Sequence, residues 1–139
     1  MYKCKYFTIQ ELVPPETYEV YGERLWYYFD QNVLKAMDML RQYFGPCTVN
    51  NWSYNHTGET FRYRGYRPYT YSGGSPLSAH RCFKAVDSHF KNAHPQEVRD
   101  YLIESNGLAG IVKRIEDDVN WVHIDTIDFG SDELIVFKP

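Results

Sequence analysis

The C-terminal part of the chain holds three short apolar segments in close succession, and this feature constrains the fold more than any other. The segments are Leu108 to Ile115, Val119 to Ile127 and Glu133 to Phe137. Each has the length of a strand, and the connections between them are too short for the helical crossover that parallel neighbours require. The sequence therefore predicts an antiparallel meander of three strands.

The preceding part of the chain carries helix and strand patterns separated by loops. Apolar residues recur every three or four positions from about Gly22 to Phe44, which predicts an amphipathic helix that ends at Gly45. A second helix is predicted from Pro95 to Asn106, with short strands at 47–52 and 84–90. Helices that are segregated from the strands predict an α+β fold, an antiparallel sheet with flanking helices.

Length, composition and charge limit the classes of protein to which the chain can belong. With 139 residues, 43% of them hydrophobic and 24% charged, we predict a single domain over residues 1–139. A formal net charge of -3 provides no positive field for phosphate backbones or anionic lipids, so we expect neither nucleic acid nor a membrane as partner. We also expect a monomer. The start of the chain lacks the apolar block of a signal peptide, which predicts synthesis in the cytoplasm.

One long segment, residues 53–80, shows no sustained period and contains Gly, Pro, Ser and Asn throughout. A loop of this length is usually functional or disordered. The aromatic and arginine side chains between Trp52 and Tyr71 favour a functional loop that forms one wall of a cleft. The alternative is that the tyrosines are amphipathic filler whose hydroxyl groups reach water.

Three side chains have the chemistry of a divalent metal site. His80 ends the long loop, Asp87 lies in the next predicted strand, and His123 lies within a later one. Imidazole nitrogen and carboxylate oxygen suit Zn²⁺, and three protein ligands with one open position are typical of catalytic zinc. Two histidines and one aspartate also occur together by chance, so the alternative is a set of ordinary polar residues.

Alternation along the strand of His123 separates apolar from polar side chains. Trp121, His123 and Asp125 fall on one face of the strand, and Val122 and Ile124 fall on the other. The sequence therefore predicts one face packed on the core and one face that carries the chemistry.

Three short motifs resemble those of one family of zinc peptidases. Residues 78–87, SAHRCFKAVD, resemble the Ser-x-His-x-x-Gly-x-Ala-x-Asp signature of the zinc D-Ala-D-Ala carboxypeptidase-like peptidases. Residues 64–67, RGYR, are similar to the Gly-Tyr-Arg segment of this family. Residues 121–125, WVHID, resemble the closing strand of a branch that occurs in phage and bacterial cell-wall proteins. The resemblance covers roughly residues 23–127.

The resemblance implies a fold, a cofactor and an activity. The fold would be that of the hedgehog/DD-peptidase group, with His80, Asp87 and His123 as ligands of Zn²⁺. The activity would be cleavage of peptide bonds in the peptidoglycan stem peptide, at the bacterial cell wall or from a virion. Arg67 would stabilise the oxyanion or hold a substrate carboxylate. The alternative is that Arg67 has only a structural role.

The chain departs from the family at a glycine position. Phe83 stands where the family has glycine three residues after the first histidine, and we expect its ring to narrow the site. His89 shares a strand face with Asp87 and is either a fourth ligand or acid, or an ordinary half-buried histidine.

The chain also departs from the family at the position of the general base. The family often has Glu, Asp or His two or three residues before the last ligand, where this chain has Trp121 and Asn120. Asp125 is the nearest candidate for the base, or for orienting the ligand His123. For Asp117 and Asp118 there are two alternatives: their side chains extend into the site from the turn before the strand, or they form a solvated hairpin tip.

Two functions therefore remain open from the sequence. One is a zinc-dependent peptidase that uses a metal-activated water. The other is a non-catalytic binding or structural module, for example a virion component, that keeps the fold and possibly the metal. Bond cleavage fits only the first.

Overall fold

Four helices and five strands form the regular structure of the computed structural model, which describes residues 1–139. The helices are α1 (Pro15–Tyr21), α2 (Gln31–Phe44), α3 (Pro95–Glu104) and α4 (Asn106–Gly110). The strands are β1 (Cys47–Thr48), β2 (Ala85–Phe90), β3 (Arg114–Glu116), β4 (Val122–Asp125) and β5 (Ile135–Phe137). The predicted α+β class is confirmed. None of the helices has the length and apolarity needed to cross a bilayer.

The longest helix, α2, begins and ends where its local chemistry requires. The Asp30 carboxylate accepts a hydrogen bond from the backbone N–H of Asn32, at 2.8 Å, which caps the N-terminus. Gly45 ends the helix with a positive φ of 87°. The segment Gly22–Tyr27, predicted as part of this helix, instead forms a 3-10 turn.

The five strands form one open sheet in the order β1-β2-β4-β3-β5. All neighbours are antiparallel except β3 and β5, which are parallel. The predicted antiparallel meander is therefore wrong for the last strand, because β5 pairs with β3 in parallel and not with β4. Asp125 at the end of β4 lies opposite Arg114 at the start of β3. The connection that follows β4 therefore begins at the edge of the sheet where β3 starts. Ile135 then pairs beside Arg114, and β5 runs in the same direction as β3.

The predicted strand from Leu108 to Ile115 is also shorter than expected. Its first part is α4, in which Gly107, Leu108 and Ala109 have positive φ angles. Gly107 packs so closely on the backbone of Val112 that a Cβ would lie 2.3 Å from its carbonyl oxygen. Strand β3 therefore begins only at Arg114 and continues to Glu116.

The long loop is held by side chains of two buried asparagines. The Asn50 Oδ1 atom accepts from the backbone N–H of Arg64 at 2.9 Å, and the Asn51 Oδ1 atom accepts from that of Phe61 at 2.7 Å. Because both residues face the loop, the predicted strand 47–52 pairs with β2 only at Cys47 and Thr48.

The sheet has one apolar and one polar face. The apolar face packs on α2 and α3 in a cluster of 22 buried hydrophobic residues, which includes Val86, Ile115, Val122 and Ile124. The alternate positions form the polar face, which carries Asp87, Arg114, Glu116, His123 and Asp125. The alternation predicted for β4 is confirmed, and the candidate site lies on the polar face.

Candidate metal centre

The three predicted metal ligands meet on the polar face of the sheet. Asp87 in β2 and His123 in β4 are direct partners in the antiparallel register. His80 comes from a 3-10 turn, Ala79–Cys82, that enters β2. All three side chains are buried, and one ligand atom from each lies within 4.8 Å of the others. Such a cluster has the composition and spacing of a metal site.

Hydrogen bonds fix which nitrogen of each histidine faces the cluster. The Nδ1 atom of His80 donates to the carbonyl oxygen of Gly65 at 2.8 Å, which leaves Nε2 facing Asp87 at 3.3 Å. The Nε2 atom of His123 lies 2.8 Å from the Asp125 carboxylate, and its Nδ1 atom lies 2.7 Å from Asp87. Outer partners of this kind orient metal-binding histidines and select their tautomers.

Gly65 holds its carbonyl in place because it has no side chain. A Cβ at this position would lie 2.0 Å from the backbone oxygen of Leu12, which accepts a hydrogen bond from the N–H of Tyr66. The loop thus lies directly against the chain ahead of α1. The orientation of His80 therefore depends on this close backbone approach.

The carboxylates around His123 control its protonation. Burial alone would lower the pKa of His123, but its hydrogen bonds to Asp125 and Asp87 outweigh burial and raise the pKa to about 9. Burial would also raise the pKa of Asp87, yet the neighbouring His80 and His123 hold it well below its usual value. Without metal, the site is therefore a carboxylate–imidazolium pair at neutral pH.

Metal binding should consequently be coupled to proton release. Because the ligand form of His123 is deprotonated and its pKa is about 9, metal affinity should rise with pH up to that value. Calorimetric titration with Zn²⁺ at neutral pH, in two buffers with different ionisation enthalpies, measures the proton released. A binding enthalpy that is the same in both buffers would contradict this coupling.

Asp125 is fully buried between His123 and an arginine. The Arg114 guanidinium contacts both carboxylate oxygens, with Nε at 2.9 Å from Oδ1 and Nη2 at 2.8 Å from Oδ2. These partners hold the pKa of Asp125 below its usual value despite burial, which acts to raise it. The assignment of Asp125 as the base stays a prediction. Its burial away from the cleft favours the other role, which is orientation of His123.

Replacing Asp125 by asparagine should weaken metal binding by about tenfold to a hundredfold, the usual effect of removing an outer partner of a ligand. The amide removes the charge that holds the Nε2–H of His123 and leaves Arg114 without its counter-ion. Competition with a chromophoric chelator measures the affinity. Asp128→Asn is the matched control, since Asp128 is exposed and its carboxylate contacts only Lys113, at 3.8 Å, and the backbone N–H of Gly130, at 2.7 Å. An unchanged affinity in Asp125→Asn would refute the positioning role.

A cleft of about 570 Å³, called here the metal cleft, opens on the three ligands. Glu116 lies in its wall because the register that pairs Ile115 with Ile124 brings Glu116 alongside His123. Burial raises the pKa of Glu116, more than the nearby charge of His123 lowers it. Sequence reasoning missed this residue, since the predicted strand ended at Ile115, one position too early.

The other predicted residues divide between the cleft and its surroundings. Arg67 lies in the metal cleft, with Nη2 at 3.2 Å from Asp87 and Nε bonded to the carbonyl oxygen of Tyr63. Asp117 faces Arg99 at 3.7 Å and Asp118 faces Lys138 at 3.3 Å, and neither lines the cleft.

Phe83 and His89 lie outside the metal cleft. Phe83 takes the left-handed conformation that its glycine-like position requires, with φ at 58°, and its ring stacks on Tyr66 at 3.8 Å. It lines a separate apolar hollow, so the expected narrowing of the metal site is wrong. His89 lies outside the cluster of ligands, and its Nδ1 atom is 2.7 Å from the Nη1 atom of Arg64.

Comparison with known proteins gives no independent family assignment. No protein-family model, curated protein or solved structure matches this chain. The findings support a buried His-Asp-His triad that could hold a metal ion in an α+β fold.

Proposed function

We propose that the protein is a zinc-dependent peptidase that cleaves the peptidoglycan stem peptide, acting at the bacterial cell wall or as part of a virion. The observation that carries the proposal is the orientation of the histidines. His80 and His123 each have one nitrogen held by an outer acceptor and the other nitrogen directed at Asp87. Three ligands on the wall of an open cleft match the catalytic zinc pattern rather than the closed structural one.

The residues of the metal cleft can supply the remaining chemistry. A bound Zn²⁺ would acidify a water molecule and polarise the scissile carbonyl. Glu116, beside His123, is the carboxylate in the cleft that can accept the proton of that water. Arg67 has its Nε and Nη2 atoms engaged and its Nη1 atom free of hydrogen bonds, so Nη1 can donate to the developing oxyanion.

The stem peptide as substrate rests on the motif resemblance. The ligand motif at 78–87, the segment at 64–67 and the closing strand motif at 121–125 all meet at the metal cleft, which contains His80, Arg67 and His123. Residues that carry the likeness are thus those that line the site. This agreement supports the family likeness over a chance match of separate motifs.

Metal content and cleavage of defined substrates test the proposal together. Elemental mass spectrometry should find about one zinc per chain, lost in His80→Ala and Asp87→Ala. Mass spectrometry of digested muropeptides should then show new amine and carboxyl ends that a chelator prevents. Absence of metal after zinc is offered would refute the site itself.

A non-catalytic module is the second candidate, and one observation favours it. The position where the family often has an acidic residue or a histidine is occupied by Trp121, whose ring lines the metal cleft. A protein that binds one zinc per chain and cleaves no stem peptide would support this alternative.

A further inference from the structure

A second cleft, of about 330 Å³, adjoins the metal cleft on the side of the long loop. Arg67, Asp87 and Trp121 line both clefts, so the two open onto the same ligand, Asp87. The second cleft is called here the arginine cleft, because Arg62 and Arg64 also line it. A chain lying across the metal centre would extend into it.

Arg64 has an unusual electrostatic position in the arginine cleft. It is half-buried, and no carboxylate lies within 4.0 Å of its guanidinium. Its nearest polar partner is the uncharged nitrogen acceptor Nδ1 of His89, at 2.7 Å. Burial lowers the pKa of Arg64, more than the nearby charges of Asp87 and Glu59 raise it. A partly buried cation with no carboxylate in contact is costly, so an anion from outside the chain would be stabilised there.

The guanidinium of Arg64 is also fixed in place. It stacks over the ring of Phe61, with 3.6 Å between the guanidinium carbon and the ring centroid. Its backbone N–H donates to Asn50, and its carbonyl oxygen accepts from the N–H of Asp87 at 2.7 Å. The side chain is therefore preorganised next to a metal ligand, and binding an anion costs little further ordering.

The remaining charges of the arginine cleft favour an anion as well. Arg62 is exposed at the rim and has no ion pair, and Arg67 adds a third guanidinium at the junction with the metal cleft. The acidic residues that line the cleft are Glu59 and Asp87, and Asp87 is engaged by His80, His123 and Arg67. With Arg67 paired to Asp87, the two guanidinium groups of Arg62 and Arg64 face Glu59 as the single uncommitted carboxylate.

We infer that the arginine cleft is an anion subsite in which Arg64, assisted by Arg62, binds a carboxylate of the substrate peptide on one side of the scissile bond. The inference rests on the proposed function only in identifying the ligand as a peptide. Stem peptides offer two carboxylates of this kind, the α-carboxylate of the γ-linked glutamate and the C-terminal carboxylate. The planar fork of an arginine matches either of them.

Equilibrium binding of matched peptides tests the inference without requiring bond cleavage. The probe is L-alanyl-γ-D-glutamyl-L-lysine, prepared with each of its two carboxylates either free or converted to the amide. Rapid mixing with the protein as purified, followed by tryptophan fluorescence, reports binding before turnover, since Trp121 lines both clefts. The free acid should bind about tenfold to a hundredfold more tightly than the amide at one of the two positions, which identifies the carboxylate.

Variants assign that preference to the arginine cleft. Arg64→Gln should remove most of the preference for the acid, and Arg62→Gln should reduce it by a smaller factor. Arg24→Gln is the matched control, because Arg24 is exposed and bonds only to backbone carbonyls of α1. If Arg64→Gln fails to fold, a smaller preference for the acid in Arg62→Gln than in Arg24→Gln, and its further decrease at high salt, test the same assignment.

The inference is overturned if the wild-type protein binds acid and amide equally or binds neither, or if the preference survives in both variants. A protein that prefers the acid in this manner and cleaves no peptide would keep the subsite and refute the peptidase. The two failures are therefore distinguishable.

Discussion

Replacing His123 by alanine should reduce bound zinc from about one ion per chain to almost none and remove hydrolytic activity. His123 supplies one of the three candidate ligand atoms, and its Nδ1 atom lies closer to Asp87, at 2.7 Å, than the Nε2 atom of His80 does, at 3.3 Å. With His80 and Asp87 alone, the remaining site has too few ligands for tight zinc binding. Elemental mass spectrometry on the purified variant measures the loss.

The control for this substitution is His56→Ala. His56 is an exposed histidine of the long loop, and its ring nitrogens contact Tyr54 and Thr60. Zinc should raise the melting temperature of the wild type and of this control, since a ligand in hundredfold excess over its Kd stabilises by about 2.7 kcal/mol. It should leave that of His123→Ala unchanged. A His123→Ala protein that still holds one zinc would refute the assigned ligand set.

Replacing Glu116 by glutamine should lower kcat by about a hundredfold to ten-thousandfold, the usual contribution of a general base. Glutamine has nearly the same shape, but it cannot accept a proton at neutral pH. Zinc content should stay at the wild-type value, because Glu116 is outside the group of ligands. Steady-state hydrolysis of a stem peptide, together with metal analysis of the same sample, measures both.

Asp117→Asn is the control for the Glu116 substitution, because Asp117 is the next residue and does not line the metal cleft. It should retain near wild-type turnover. If Glu116→Gln is fully active while Asp125→Asn binds zinc but is inactive, the base is Asp125, as the strand pattern first suggested. The two single variants therefore separate the two carboxylates.

Local patterns in the sequence were sufficient to locate much of the fold. The spacing of apolar residues located α2, the start and stop signals at Pro95 and Asn106 located α3, and alternation along β4 assigned His123 and Ile124 to opposite faces. These predictions succeed because periodicity and capping act over a few residues. The residue types His80, Asp87 and His123 also indicated a metal site, and the structure brings those three together.

Features that depend on pairing between distant segments could not be predicted in the same way. The parallel direction of β5 follows from where β4 ends relative to β3, which is a property of the register. The same register places Glu116 beside His123 and Arg114 beside Asp125. A sequence pattern gives the face of each residue, but not its neighbour on the next strand.

The β2–β4 pairing also determines when the candidate metal site can form. Asp87 and His123 become neighbours only when these two strands have paired, although 36 residues separate them along the chain. Contacts of such long range are slow to form during folding. We therefore expect zinc to be captured by the folded chain and to act mainly by slowing its unfolding, with little effect on the rate at which the chain folds.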